Sequence, residues 1–156
     1  MKTEDIEIAI ASYFDTRKVV IVPNLYWGLG FQHELDLAVV THNNYIWEIE
    51  IKISKSDLKA DAKKKHGHYS NKVKRLYFAV PKELQEDALI LIPERAGLFI
   101  VDENRRVELI KKPITNVLAR PLEQKEIEHL HKLIQMRFWT LKRNVYYYGK
   151  SQEEVK

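Results

Sequence analysis

The segment at residues 47–52 reads WEIEIK and alternates strictly between apolar and charged side chains. Because side chains alternate between the two faces of a β-strand, this pattern predicts one apolar face and one face with two acids and a lysine. Residues 34–41 are also typical of a strand, and residues 42–44 (His-Asn-Asn) are typical of a tight turn. The two strands therefore predict an antiparallel hairpin.

The first strand of this hairpin carries Asp36 on a face that otherwise holds Ala38 and Val40. Aspartate is depleted in strands, and a buried charge is costly unless it is paired or bound to a metal ion. An ion pair with Lys52 across the hairpin would satisfy Asp36, and so would a divalent cation. Both interpretations remain open from the residues alone.

The position of the turn sets which residues face each other across the hairpin. A turn at residues 43–44 predicts that Asp36 faces Ile51, between Glu50 and Lys52, and a change of one residue in the loop would place it opposite either neighbour. In each register the carboxylates of Asp36 and Glu50 come close together. Such oxygen ligands suit Mg²⁺ or Mn²⁺, which can polarise a phosphodiester and activate water. Lys52 could orient that water or stabilise negative charge on phosphate.

Basic residues are concentrated between residues 55 and 75, where Asp57 and Asp61 are the only acids, in a chain of net charge +4. This is the composition of a phosphate-binding surface, and a solvated helix face has the same composition. Five lysines are the predicted nucleic-acid contacts: Lys55, Lys63, Lys64, Lys65 and Lys72.

The rest of the chain predicts one α/β domain over residues 1–150, with a disordered tail at 151–156. Its predicted helices span residues 3–14, 56–65 and a long C-terminal segment from Pro121, and its further strands span 18–22, 75–80, 97–101 and 106–110. The stretch 75–80 (RLYFAV) is continuously apolar, which predicts burial on both faces. On the C-terminal helix, Phe138 and Leu141 are predicted core residues.

The composition also excludes several classes of function. The chain has no cysteine, so disulfides, thiolate catalysis and cysteine-ligated zinc are excluded. The N-terminal residues do not resemble a secretory signal, and no apolar run reaches the roughly 18 residues of a membrane helix. We therefore predict a cytoplasmic protein that is not embedded in a membrane.

Asp36, the interval across the hairpin and Glu50-Ile51-Lys52 before a helix together resemble the PD-(D/E)XK nuclease motif. Within that superfamily the chain resembles the MmcB-like DNA-repair branch most specifically, in residues 50–63, 75–81 and 92–98. The resemblance implies a restriction-endonuclease-like core, which is a central mixed sheet flanked by helices in the order αβββαβ, here followed by the long C-terminal helix. It also implies that Asp36 and Glu50 hold the metal and that Lys52 is catalytic. Leu35 stands where the pattern has a proline.

We therefore predict a metal-dependent nuclease, with DNA favoured over RNA as its substrate and a homodimer if both strands are cut. The alternative is a catalytically silent member of the fold that binds nucleic acid or a protein. Glu48 and Glu34 are predicted to face solvent, Glu7 to be a surface acid of the first helix, and His33 to form a surface pair with Glu34. The mixed aromatic and basic segment 137–150 could stack on unpaired bases, but core packing or self-association is favoured.

Overall fold

The computed structural model describes residues 1–26, 28–63 and 70–153, with side chains described as far as residue 147. The chain divides into two compact units, Met1–Leu122 and Glu123–Lys156. The first unit contains a six-stranded sheet with its helices, and the second contains one long helix. The predicted single domain of residues 1–150 stays a prediction.

The strands of the first unit lie in the sheet in their chain order. The elements are helix α1 (Thr3–Phe14), strands β1 (Val20–Leu25), β2 (Leu35–Val40) and β3 (Ile46–Ile51), helix α2 (Lys55–Asp61), strand β4 (Val73–Pro81), a 3-10 turn (Lys82–Leu84), helix α3 (Gln85–Leu91), strands β5 (Gly97–Val101) and β6 (Val107–Lys111), and helix α4 (Gln124–Glu153). Strand β4 pairs in parallel with β3 and with β5, and the other neighbours pair antiparallel. Parallel neighbours need a crossover, and α2 and α3 lie in these two connections. The predicted α/β fold class is confirmed.

Helices cover both faces of the sheet. On one face, Ile6 and Ile10 of α1 pack in a cluster with Leu37, Ile49 and Phe99 of the strands. On the other face, a separate cluster joins α2, α3 and the middle of the sheet: its members include Leu58, Ala88, Phe78 and Leu98. Because β4 contributes to both clusters, its sequence is continuously apolar, as predicted.

Several predicted boundaries differ from the structure. Strand β1 continues through Pro23 to Leu25, and the proline is tolerated because β1 is an edge strand that needs donors on one side only. Helix α2 ends at Asp61, before the predicted end, and residues 64–69 lie outside the described residues. Helix α3 was not predicted, since seven residues give too little periodicity to detect.

Helix α4 begins at Gln124, three residues after Pro121, and runs to Glu153, into the segment predicted as a disordered tail. The prediction that Phe138 and Leu141 are core residues is wrong, because their exposed fractions are 55% and 63%. No helix in the described part of the chain has both the length and the apolar character required to cross a membrane.

Gly97 at the start of β5 is packed too tightly for a side chain. A Cβ atom there would lie 2.7 Å from Cδ1 of Tyr77 and 2.9 Å from the carbonyl oxygen of Lys111, which belongs to the neighbouring strand β6. We expect Gly97→Ala to lower the free energy of unfolding by about 1–3 kcal/mol in denaturant titrations. Ala60→Ser, on the exposed side of α2, should change it by less than about 0.5 kcal/mol. Equal stability of the two variants would contradict this packing argument.

Candidate functional site

The register of the β2–β3 hairpin brings the predicted site residues together. Leu37 pairs with Ile49 and Ala38 with Glu48, so the same register places Asp36 opposite Glu50. The predicted partner, Ile51, is therefore wrong by one residue. The loop holds three residues, 42–44, because the Thr41 amide donates to the Tyr45 carbonyl and Asn44 has a φ of 61°. A residue in this left-handed conformation is typical of three-residue hairpin loops.

Lys52 lies at the centre of a cluster of carboxylates. Its Nζ is 2.7 Å from Oε2 of Glu50, 3.3 Å from Oδ1 of Asp61 and 3.7 Å from Oδ2 of Asp36. Lys52 is 8% exposed, and Glu50 and Asp61 are buried as well. The structure thus brings together Asp36, Glu50 and Lys52, the three residues predicted to be catalytic, and it adds Asp61, which was not predicted to lie at this site.

Backbone hydrogen bonds fix the geometry of this cluster. Oδ2 of Asp36 accepts a hydrogen bond from the Ile51 amide at 2.8 Å, which holds its carboxylate against the end of β3. The Lys52 amide donates to the Ala79 carbonyl of β4 at 3.1 Å. The chain then enters α2, where Ser54 caps the helix by accepting a hydrogen bond from the Asp57 amide. Since Asp61 is the last residue of α2, this helix carries it to Lys52.

The electrostatics of the cluster keep Lys52 charged. Burial by itself lowers the pKa of the Lys52 ammonium, but Glu50, Asp36 and Asp61 outweigh burial and hold that pKa above its usual value. Burial raises the pKa of Glu50, nearby Asp36 raises it further, and Lys52 opposes both effects. The surrounding carboxylates therefore favour the charged form of Lys52, and a charged ammonium can stabilise anions and orient polar groups.

His33 and Glu48 extend the site on the same face of β3. Nε2 of His33 lies 2.7 Å from Oε1 of Glu48, whose side chain is fully buried. The predictions that Glu48 faces solvent and that His33 pairs with Glu34 at the surface are wrong, whereas Glu34 is exposed as predicted. The alternation of the strand correctly predicts that Glu48 and Glu50 share one face. Glu48 was predicted to face solvent because the sequence does not show that this face is buried.

Two groups of possible metal ligands share Glu50. Ligand atoms of His33, Glu48 and Glu50 all lie within 4.8 Å of one another, and one imidazole with two carboxylates suits Mn²⁺ or Zn²⁺. The predicted pair is Asp36 and Glu50. Asp36 is the more accessible, with 34% of its side chain exposed, and within the described residues its Oδ1 has no hydrogen bond or ion pair. The carboxylate oxygens and the imidazole nitrogen present here are therefore suitable ligands for a divalent cation.

Glu7 of α1 also belongs to the surroundings of the site. It is half-buried, and burial raises its pKa, with Glu4 and Asp36 raising it further. Glu7 was predicted to be a surface acid without a role, but its carboxylate lies close enough to Asp36 to be affected by that charge. It adds to the negative potential that would attract a cation.

The predicted nucleic-acid lysines have different surroundings. The side chain of Lys55 is 53% exposed and lies 2.6 Å from Asp87, and Lys63 is exposed. Lys72 is half-buried, donates a hydrogen bond to the Leu29 carbonyl and lies over the Phe31 ring, which gives it a structural role. Lys64 and Lys65 lie outside the described residues. Nucleic-acid binding by all five lysines stays a prediction.

The fold and this buried carboxylate–lysine cluster define an α/β protein whose site is built on one hairpin and the helix that follows it. The family model described as "DNA repair protein MmcB-like" matches residues 3–137. The chain belongs to the MmcB-like DNA repair protein family, which confirms that part of the resemblance.

One similar solved structure is that of the SPO1766 protein of unknown function from Silicibacter pomeroyi. It is 22% identical, has a TM-score of 0.69 and is matched over 91% of this chain and 92% of that chain. At this identity the similarity shows the fold alone. No curated protein matches the sequence.

Proposed function

We propose that the protein is a metal-dependent nuclease of the PD-(D/E)XK superfamily that hydrolyses phosphodiester bonds in DNA. The observation that carries this proposal is the convergence of Asp36, Glu50 and Lys52, with Nζ of Lys52 within 4.0 Å of both carboxylates. DNA is favoured over RNA as the substrate because the family is one of DNA repair proteins.

In this proposal Asp36 and Glu50 hold Mg²⁺ or Mn²⁺. The bound ion would polarise the phosphodiester and lower the pKa of a coordinated water. Glu50 supplies a buried carboxylate whose position is fixed by Lys52, and Asp36 supplies the accessible carboxylate that the Ile51 amide orients. The buried Glu50 would hold the ion in a fixed position, and the accessible Asp36 would leave room for the substrate beside it.

Lys52 would act on the substrate and not on the proton of the attacking water. As water adds to phosphorus in line with the leaving oxygen, negative charge grows on the non-bridging oxygens, and a nearby ammonium stabilises it. The bond from phosphorus to the leaving oxygen then breaks, the attacking water gives up its proton to solvent, and the leaving oxygen takes up a proton from solvent to become a hydroxyl. Lysines outside the cluster, Lys55 and Lys63 among them, would contact the phosphate backbone without reading its sequence. Cutting both strands of a duplex needs two sites, so the proposal includes a homodimer on duplex DNA.

The decisive test is cleavage of single-stranded and duplex DNA by the purified chain with Mg²⁺, with Mn²⁺ and with EDTA. We expect cleavage only with metal, and we expect Asp36→Asn to reduce its rate by at least about 100-fold, since the exposed metal ligand is lost. Lys18→Met, whose side chain is 78% exposed, is the matched surface control and should cleave like the unaltered chain.

Two results would count against a nuclease. One is the lack of cleavage of any DNA with either metal. The other is metal-independent binding of DNA that persists in Asp36→Asn without cleavage, which is the behaviour of a silent, DNA-binding member of the fold.

A further inference from the structure

The second half of α4 is basic and carries no acid before its last residue, Glu153. Between Glu128 and Glu153 the sequence has no aspartate or glutamate, and it contains Lys132, Arg137, Lys142 and Arg143. We call residues 132–147 the arm segment. All of it is helical, and it belongs to the second compact unit of the chain. A helix with this charge attracts polyanions.

The arm segment also exposes aromatic side chains. Phe138, Trp139, Tyr146 and Tyr147 are each at least half exposed. Burying a large aromatic side chain is favourable, so several of them left exposed on one helix indicate a binding surface. All four residues lie outside the family match, which ends at residue 137. The surface is therefore a feature of this chain beyond the matched region.

Basic and aromatic side chains share the same face of the arm segment. Nζ of Lys142 lies 5.1 Å from the centroid of the Trp139 ring and 5.9 Å from that of Phe138. One shallow groove along the helix is lined by side chains three or four positions apart, and these are Lys132, Gln135, Met136, Trp139, Thr140 and Arg143. Phe138 and Trp139 thus both have a cationic group beside them.

We propose that the arm segment binds single-stranded DNA. Unpaired bases would stack on Trp139 and Phe138, and the adjacent phosphates would contact Lys142 and Arg143. This inference rests on the proposed function for its choice of DNA as the polyanion. It adds a second DNA contact, one that prefers unpaired bases, to the site built on the hairpin.

Two other occupants fit the arm segment less well. Helices that lie in a membrane interface keep basic and apolar residues on opposite faces, whereas here Arg143 lies on the same face as Met136 and Trp139. Interfaces between protein copies are depleted of charged residues at their centre. Here the Lys142 ammonium lies over the rings of Phe138 and Trp139. Stacked bases linked by phosphates need both kinds of side chain side by side.

The test measures fluorescence anisotropy of the full chain with a labelled single strand of about 16 nucleotides, and with the matching duplex, in EDTA. We expect Trp139→Ala to weaken single-strand binding about 5- to 150-fold and to leave duplex binding unchanged. Tyr26→Ala, an exposed aromatic outside the arm segment, is the matched control and should bind both like the unaltered chain. Combining Lys142→Ala with Arg143→Ala should reduce the salt slope of single-strand binding by about 1.4.

Because EDTA removes the metal, this binding is measured independently of cleavage, and either proposal can fail without the other. Single-strand affinity that Trp139→Ala leaves unchanged would overturn the inference. So would binding to phosphatidylserine vesicles that depends on Trp139 while single-strand binding does not. A dimer in light scattering that Phe138→Ala dissociates, with single-strand binding intact, would reassign the surface to self-association.

Discussion

Replacing Lys52 by methionine is expected to abolish metal-dependent cleavage and to lower the free energy of unfolding by about 3–5 kcal/mol. The ammonium lies within 4.0 Å of Asp36, Glu50 and Asp61, and Lys52 is buried. Methionine has a similar length and no charge, so it keeps the packing while it removes the cation that these carboxylates share. Cleavage is lost because nothing at this position then stabilises the charge that develops on phosphate.

Both consequences are measurable on the same variant, by denaturant titration in EDTA and by cleavage with Mg²⁺. The control is Lys18→Met, which also removes a lysine near a carboxylate but at an exposed position. A surface pair such as Lys18 with Asp15 contributes at most about 1 kcal/mol, so this variant should remain stable and active. If Lys52→Met cleaved DNA at the normal rate, Lys52 would have no catalytic role. If it lost no stability, Lys52 would not be balancing the buried carboxylates.

Local periodicity was enough to predict that Asp36, Glu50 and Lys52 lie together, but not that Asp61 and His33 join them. Alternation in the strand placed Glu48, Glu50 and Lys52 on one face, and the turn brought Asp36 close to them. The register was wrong by one residue because loop length depends on the conformation of a single residue, Asn44, which has a left-handed φ. Asparagine adopts that conformation readily, but the sequence does not say which of the two adjacent asparagines does so.

Burial was harder to predict than position. Glu48 and Glu50 lie on a strand face that would look the same if it faced water, and only the packing of distant segments decides this. The same reason explains why the contact between His33 and Glu48 was missed. Along α4 the sequence overestimates burial instead. A regular apolar stripe predicted core packing, but Phe138 and Leu141 are exposed. Periodicity shows which side chains lie together but not what covers them.

Replacing Glu50 by glutamine is expected to weaken Mn²⁺ binding by at least about 100-fold, because Glu50 is common to both groups of possible ligands. Glutamine keeps the size of the side chain and an oxygen that can accept from Lys52, so the change acts mainly on charge. Mn²⁺ affinity can be measured by electron paramagnetic resonance of the free ion. Glu34→Gln is the matched control, since Glu34 is an exposed carboxylate immediately before β2 and should not affect binding.

Two further substitutions locate the ion on one side of Glu50 or the other. If Asp36 and Glu50 hold it, Asp36→Asn should weaken Mn²⁺ binding more than His33→Ala does, because His33 would then act only through Glu48. The reverse order would assign the ion to His33, Glu48 and Glu50, where an imidazole ligand favours Mn²⁺ or Zn²⁺ over Mg²⁺. Normal Mn²⁺ affinity in Glu50→Gln would exclude both positions, and with them the proposed metal-dependent mechanism, because Glu50 is common to both groups of ligands.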